Sequence, residues 1–156
     1  MILRSFFLLL ALGSPLLAEN WPQWRGPRLD GTSMDQGFPV RMDEKSLTWR
    51  AELPGQGHAS PIVWGDRLFT VAAVAETEQR VLQCVNRVDG KLLWEKAVLK
   101  SPLEGKHRLN SHASSTPATD GERVFTAFLN GSQVVASAHD FTGKQLWQVR
   151  PGTFAS

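Results

Sequence analysis

Residues 58–71 read HASPIVWGDRLFTV, and the same pattern returns in residues 112–127 as HASSTPATDGERVFTA. Self-similarity at a fixed spacing is the signature of a repeated structural unit. The positions that recur 56 residues apart are Pro61, Arg67, Phe69 and Thr70 in the first copy and Pro117, Arg123, Phe125 and Thr126 in the second. The chain therefore contains two copies of one unit.

The repeat continues downstream with a changed spacing. DGKLLW at 89–94 recurs 53 residues later as TGKQLW at 142–147, so the second copy is three residues shorter at this point. We place the shortening in a hairpin turn, which is AETEQR at 75–80 in the first copy and Asn130-Gly131 in the second. Length differences between related units concentrate in turns.

Each copy is predicted to form four short strands. Asp-Gly and Asn-Gly pairs at the breaks provide the positive φ angles that tight hairpins need. The second strands, LFTVAAV and VFTAF, are almost continuously apolar, which predicts sheets covered on both faces. The predicted strands are 60–64, 67–73, 81–86 and one ending at Trp94, then 116–119, 123–128, 133–139 and one ending at Trp147. Helix signals are almost absent after residue 20, so the fold class is all-β.

Four-stranded antiparallel units repeated in this way are the blades of a β-propeller. SLTWRAEL at 46–53 reads as a fourth strand without partners, and we predict a closing strand at 47–52. The predicted segments are a signal peptide at 1–18, a lead with the closing strand at 19–57, a blade at 58–98, a loop at 99–111, a blade at 112–150, and the start of a missing blade at 151–156. A propeller closes with about 4–8 blades. We therefore expect an N-terminal fragment, or else a chain that completes a ring by self-association.

The turn before the fourth strand resembles a known motif. AHDFTGKQLW at 138–147 resembles the A-x-D-x-x-T-G-K-x-x-W motif of the pyrroloquinoline-quinone-type (PQQ-like) propeller repeat. CVNRVDGKLLW at 84–94 resembles it more distantly, with Asn86 in place of the Asp and Asp89 in place of the Thr. The lead NWPQWRGPRLDGTS, residues 20–33, is similar to the start of exported PQQ-like repeat proteins.

The resemblance is to the PQQ-like propeller family and its BamB-like members. It implies that the fourth-strand tryptophans, Trp94 and Trp147, dock between adjacent blades and hydrogen-bond around the glycine turn. It also implies a protein partner bound at face loops or exposed strand edges. The motif indicates the repeat and says little about activity.

The first 18 residues read as a secretory signal. Arg4 provides the positive start, 6–12 are apolar, and Ala18 offers a small residue before a cut at Glu19. The apolar run is shorter than the ~20 residues that a membrane-spanning helix needs. No cysteine follows it to carry a lipid anchor. We predict a periplasmic or secreted protein with no transmembrane segment.

Composition excludes several classes of function. The 156 residues include 17 Lys+Arg and 15 Asp+Glu, a formal net charge of +2. This balance argues against a nucleic-acid partner. One cysteine, Cys84, excludes an internal disulfide framework and a Cys-rich zinc site. Cys84 lies in an apolar strand, which predicts a buried and unreactive thiol.

His58 and His112 occupy equivalent positions, each opening an HAS triplet just before a first strand. The connections into the first strands lie on the propeller face where ligands bind, so the pair could contribute to a metal or ligand site. Metal binding needs three or four ligands, and no carboxylate or cysteine recurs beside them. We favour histidines that cap a loop and bond to the backbone, and we predict no metal site.

The connection between the two blades is long. Seventeen residues separate Trp94 from His112, against eight between Trp49 and His58, and they include the basic cluster GKHR at 105–108. A loop inserted on the ligand face of a rigid scaffold is a common place for function. Charged loops are also commonly only solvated, and the sequence favours that interpretation.

Two remaining residues have structural interpretations. Trp64, at the end of a first strand, is expected to pack on the neighbouring sheet. Asp140 belongs to the turn motif and is better explained structurally than as a base. No catalytic residue is assigned, and any cofactor-binding residues are unknown.

Two hypotheses for function follow. The first is an exported propeller scaffold that binds a protein, is not an enzyme and has no cofactor. The second is a fragment of a quinoprotein alcohol dehydrogenase, which would use PQQ and Ca²⁺. For an enzyme, the loops that carry Lys106, His107, Arg108 and His112 are where the site would lie.

Overall fold

The structure, a computed structural model, describes residues 18–154 and contains two four-stranded antiparallel sheets. The strands are β1 (Ile62–Trp64), β2 (Arg67–Val74), β3 (Gln79–Asn86) and β4 (Leu92–Lys100) in the first sheet, and β5 (Ala118–Thr119), β6 (Arg123–Asn130), β7 (Gln133–Asp140) and β8 (Gln145–Thr153) in the second. Each strand pairs with the next along the chain. The only helices among the described residues are two 3₁₀ turns, Glu44–Ser46 and Ala75–Thr77. The all-β class and the pair of blade-like sheets are confirmed.

The fourth strands are longer than predicted. They end at Lys100 and Thr153 rather than at the tryptophans. Residues 151–153 therefore lie in β8, and the prediction that they begin a further blade was wrong. The strands continue because β3 and β7 offer ladder partners along their whole length. Pro151 is accommodated because β8 is an edge strand, where a missing N–H costs no ladder bond.

The three-residue difference between the copies is divided between two turns. The connection from β2 to β3 has four residues and that from β6 to β7 has two. The third residue is lost in the next turn, where Asn86 to Gly90 in the first copy corresponds to Asp140 to Gly143 in the second. Placing the whole difference in one hairpin was therefore wrong.

The core lies between the two sheets. Its buried members include, from one face of each sheet, Ile62, Phe69, Val71, Leu82, Cys84, Val124, Phe128 and Val135. The first sheet is covered on both faces, as predicted, since β3 is buried at six successive positions. In β6, buried and half-buried residues alternate. Within the described chain the second sheet is therefore covered on one face only.

The segment before the first sheet covers its second face. The Gln83 amide, which is buried, donates to the Pro54 carbonyl at 2.9 Å. Residues 47–52 form no hydrogen-bonded ladder with a described residue, so the closing strand, which was expected to pair with a blade outside this chain, stays a prediction. A strand needs a partner for its ladder, and none of the described strands pairs with this segment.

The Trp-rich lead joins the two sheets. Trp21 pairs with Val63 of β1 through two main-chain hydrogen bonds of 2.8 and 2.9 Å. The next carbonyl, that of Pro22, accepts from the Thr119 N–H of β5 at 2.8 Å. The lead thus holds the first strands of both sheets together. Residues 1–17 of the predicted signal lie outside the described residues.

Candidate functional site

Tryptophans connect each unit to the next through the same hydrogen bond. Trp49 Nε1 donates to the Arg87 carbonyl at 2.8 Å, and Trp94 Nε1 donates to the Phe141 carbonyl at 3.0 Å. Both carbonyls belong to the residue after the Asn or Asp that opens the turn. The docking predicted for Trp94 is confirmed, and Trp49 docks in the same way without a strand around it.

The glycine turns leave room for these rings. Gly90 and Gly143 have φ values of +74° and +84°, where a side chain is strained. A Cβ on Gly90 would lie 2.5 Å from the Trp49 ring. A Cβ on Gly143 would lie 3.1 Å from the Trp94 ring and 2.9 Å from the Lys96 side chain. Each glycine therefore allows the positive φ of the turn and also leaves the space that the tryptophan ring occupies.

Asp140 holds the turn in shape. Its Oδ1 accepts hydrogen bonds from the Thr142 hydroxyl at 2.6 Å, the Thr142 N–H at 2.8 Å and the Lys144 N–H at 3.0 Å. These hydrogen bonds lower the pKa of Asp140 below its usual range, and the bond from the Thr142 hydroxyl has the largest effect. A carboxylate that is kept ionised and bonded in this way caps a turn and is a poor proton acceptor. The structural interpretation of Asp140 is confirmed.

Trp147 and Trp64 differ in their surroundings. Trp147 is 40% exposed and packs on Phe125, with ring centroids 6.1 Å apart. No described residue accepts a hydrogen bond from it, so its predicted docking is not formed within the described chain. Trp64 packs on the second sheet as expected, since a Cβ on Gly121 would lie 2.5 Å from its ring.

The two recurring histidines do not form a shared site. His112 Nε2 lies 2.8 Å from the Glu104 carbonyl, which is the backbone bond expected of a loop cap. His58 is exposed, and its main-chain N–H donates to the Ala113 carbonyl at 3.0 Å. Within residues 18–154, no three His, Cys, Asp or Glu side chains are grouped as a metal site.

A buried arginine anchors the long connection between the sheets. Arg80 is fully buried, forms an ion pair with Glu104 and donates to the Ser101 carbonyl at 2.7 Å and its hydroxyl at 3.1 Å. Sequence reasoning missed this residue because Arg80 closed a stretch interpreted as a turn. The comparison of the copies held a signal, since Val134 occupies the equivalent position. Arg80 and His112 thus hold Glu104 from two sides.

Beyond these anchors, the loop displays its positive charges. Lys106, His107 and Arg108 are all exposed. Neither Lys106 nor Arg108 forms an ion pair with a described residue. The basic cluster is therefore exposed to solvent on a loop that is anchored through Glu104.

An open groove of about 600 Å³ lies between this loop and the far end of the second sheet. The loop side is polar, and the sheet side is apolar. The residues that line it are Glu104, Gly105, Lys106, His107, Asn110, Ser111, His112, Ser114, Ser115, Ala127, Phe128, Leu129, Val134 and Phe154. A volume of this size falls within the range of sites that bind ligands.

Two buried groups lie outside the groove. Burial raises the pKa of the Cys84 thiol to about 11, so the thiolate is scarce and the thiol is unreactive, as predicted. Burial lowers the pKa of His139, whose Nδ1 has no partner among the described residues. Both side chains belong to the packed interior of the sheets.

The described residues gather no ligand set for Ca²⁺. Ca²⁺ takes about six to eight oxygen ligands, mostly carboxylates and carbonyls. The motif carboxylate, Asp140, is occupied by its turn, and no cluster of carboxylates lies elsewhere in residues 18–154. No reaction step through these cofactors can be derived from this part of the chain.

Four-stranded units joined by tryptophan-to-turn contacts define a PQQ-like propeller-repeat protein. The family described as outer membrane protein assembly factor BamB matches residues 39–150, well over half of the chain, and the chain belongs to this family. No curated protein matches the chain. Among residues 18–154, no helix has the length and apolar character needed to cross a membrane.

Proposed function

We propose that this protein is an exported, non-enzymatic propeller scaffold that binds a protein partner through the face carrying the 101–112 loop. The observation that carries the proposal is the anchoring of this loop by buried Arg80. A loop that is already ordered before binding loses less conformational entropy when a partner docks. Its exposed cations then face solvent beside a groove, where they can steer an acidic partner.

Export is supported by the sequence pattern at residues 1–18 and by the family description. The family is named for an outer membrane protein assembly factor, and such a role requires a location outside the cytoplasm. We place the protein in the periplasm or in the secreted fraction. The expected processing removes residues 1–18 and leaves Glu19 as the first residue.

Export is tested by expressing the full chain with a C-terminal tag in a bacterium that has a periplasm. We expect periplasmic material whose intact mass shows the loss of residues 1–18. Cytoplasmic material of uncleaved mass would contradict the export part of the proposal.

Partner binding is tested with a photo-crosslinking amino acid placed at Lys106 in those cells. The control position is Lys45, which is also exposed and basic but does not line the groove. We expect a discrete crosslinked species from position 106 and none from position 45. Equal patterns from both positions would contradict a partner on the loop face.

The dehydrogenase hypothesis has no observation of this structure in its favour. It is tested by titrating the purified full chain with PQQ and Ca²⁺ and following dye-linked alcohol oxidation. We expect no saturable response. Saturable binding with turnover would overturn the non-enzymatic proposal.

A further inference from the structure

The inner edge of a second strand is the edge that faces the first strand of its sheet, and the two sheets differ at this edge. In the first sheet, Gln56 pairs with Ala73 of β2, with main-chain hydrogen bonds of 2.9 and 2.8 Å. This bridge continues the edge pairing beyond β1, which is only three residues long. The inner edge of β2 is therefore closed at this point by the segment that precedes the sheet.

The same edge is open in the second sheet. Leu129 corresponds to Ala73, and Asn110, two residues before His112, corresponds to Gln56. The Asn110 N–H instead donates to the His107 carbonyl at 2.9 Å, inside the loop. The longer connection has turned Asn110 away from the strand that its counterpart covers.

The strand register shows which main-chain groups at this edge have no hydrogen-bond partner. β5 pairs only with Phe125 and Val124. The hairpin of β6 and β7 closes at the pair Asn130 and Gln133, and antiparallel pairs alternate between bonded and non-bonded positions. Ala127 and Leu129 therefore point their N–H and C=O groups away from β7. No described residue forms a hydrogen bond with these groups.

This edge lies in the groove beside the anchored loop. Ala127 and Leu129 line the groove together with the apolar side chains of Val134 and Phe154. Lys106 lies on the opposite wall and forms no ion pair with a described residue. The groove thus combines an unpaired strand edge, an apolar floor and one lysine that has no ion-pair partner among the described residues.

We propose that the groove binds an extended acidic peptide segment of a partner protein, which adds as a strand to β6 at Ala127 and Leu129. The inference rests on the proposed scaffold function and assigns the chemistry of its partner. Strand addition takes its affinity from main-chain hydrogen bonds and its selectivity from side-chain pockets. Carboxylates of the segment face Lys106, and alternate apolar side chains pack beside those of Ala127 and Leu129 on the apolar side of the groove. A small anion could satisfy the cation but not the row of N–H and C=O groups.

The first experiment measures fluorescence anisotropy of a labelled hexapeptide, Glu-Val-Thr-Val-Glu-Val, with the full chain. Two matched peptides separate the contributions. One carries lysine in place of glutamate, and the other is N-methylated at alternate amides so that it cannot form one side of a ladder. We expect saturable binding of the first peptide and at least about tenfold weaker binding of the other two.

Variants of the protein test the same contacts. Lys106→Glu should weaken binding about tenfold, whereas Lys45→Glu, an equal change of charge outside the groove, should leave it unchanged. Ala127→Pro removes an N–H that β7 does not use, a change that edge strands tolerate. Ala127→Val keeps this N–H and is its control. Should Ala127→Pro fail to fold, as seen by a lost urea transition, the N-methylated peptide still tests the ladder.

The inference is overturned when the N-methylated peptide binds as tightly as the parent, or when the lysine peptide does. It is also overturned when sedimentation shows a dimer that the parent peptide does not dissociate, since a second copy then occupies the edge. If position 106 crosslinks to a partner but the protein binds none of the labelled peptides, this inference alone is overturned. The proposed scaffold function would remain standing.

Discussion

The contact between Trp94 and the turn at Gly143 joins the two sheets, and Gly143→Ala tests it against Gly131→Ala. Both glycines have positive φ, +84° and +59°, so both changes carry the left-handed cost of about 1–2 kcal/mol. A Cβ at Gly131 meets nothing within 4 Å. The difference between the two variants therefore isolates the contact from the backbone strain.

At Gly143 the new methyl group must displace its neighbours. It would lie 2.9 Å from the Lys96 side chain, which can move, and 3.1 Å from the Trp94 ring, which is held by its hydrogen bond to Phe141. Overpacking costs about 1–3 kcal/mol, and weakening the hydrogen bond costs up to about 1 kcal/mol. Gly143→Ala should therefore lose roughly 1–4 kcal/mol more than Gly131→Ala.

Urea unfolding followed by tryptophan fluorescence measures both variants. We expect the midpoint of Gly143→Ala to fall below that of Gly131→Ala, with equal slopes. Equal midpoints would refute the reasoning, because the ring contact would then contribute nothing beyond the turn conformation. A changed slope would show instead that the two sheets no longer unfold together.

Four further outcomes are expected. Trp94→Phe keeps a six-membered aromatic ring but removes the five-membered ring with its N–H, and in urea titrations it should lower the free energy of unfolding by more than the about 1 kcal/mol of the lost hydrogen bond. Arg80→Met leaves the Glu104 carboxylate without its buried partner and should cost about 3 kcal/mol, with faster hydrogen exchange in residues 103–110. Hydrogen bonds from the Arg123 and Glu122 N–H groups lower the pKa of Asp120 from 3.8 to about 2. Its stabilisation is therefore present above pH 4 and lost as the pH falls toward 2, and Asp120→Asn should flatten that part of an acid-unfolding curve. Cys84, with its pKa raised to about 11, should react with a thiol reagent at pH 8 only at the rate of unfolding.

The repeat was predictable because its signals are local. Asp-Gly and Asn-Gly pairs, apolar second strands and the Trp after each glycine turn all lie within one unit of the sequence. The docking of Trp94 followed from the motif. The ends of β4 and β8 were not predictable in this way, because an edge strand continues for as long as its neighbour offers a ladder, whatever its own residues favour.

Arg80 and the open edge of β6 were missed for a different reason. A buried arginine in a strand is unfavourable by itself, and it is stable here only because the residues 101–104 return to it from outside the unit. The edge at Leu129 likewise depends on where Asn110 goes. Both features are decided by the course of the connection between the units, which has no counterpart of equal length in the other copy.

The nine extra residues of this connection have two linked consequences. They form a loop that needs an anchor, and Arg80 provides it in the first sheet at a position where the second sheet has Val134. They also withdraw Asn110 from the strand edge that Gln56 covers in the first sheet. An insertion that only added solvated charge would leave the edge closed. The same insertion exposes cations and leaves main-chain groups unpaired next to them. A partner segment that is both acidic and extended can bind both kinds of group, whereas a segment with only one of these properties can bind only one.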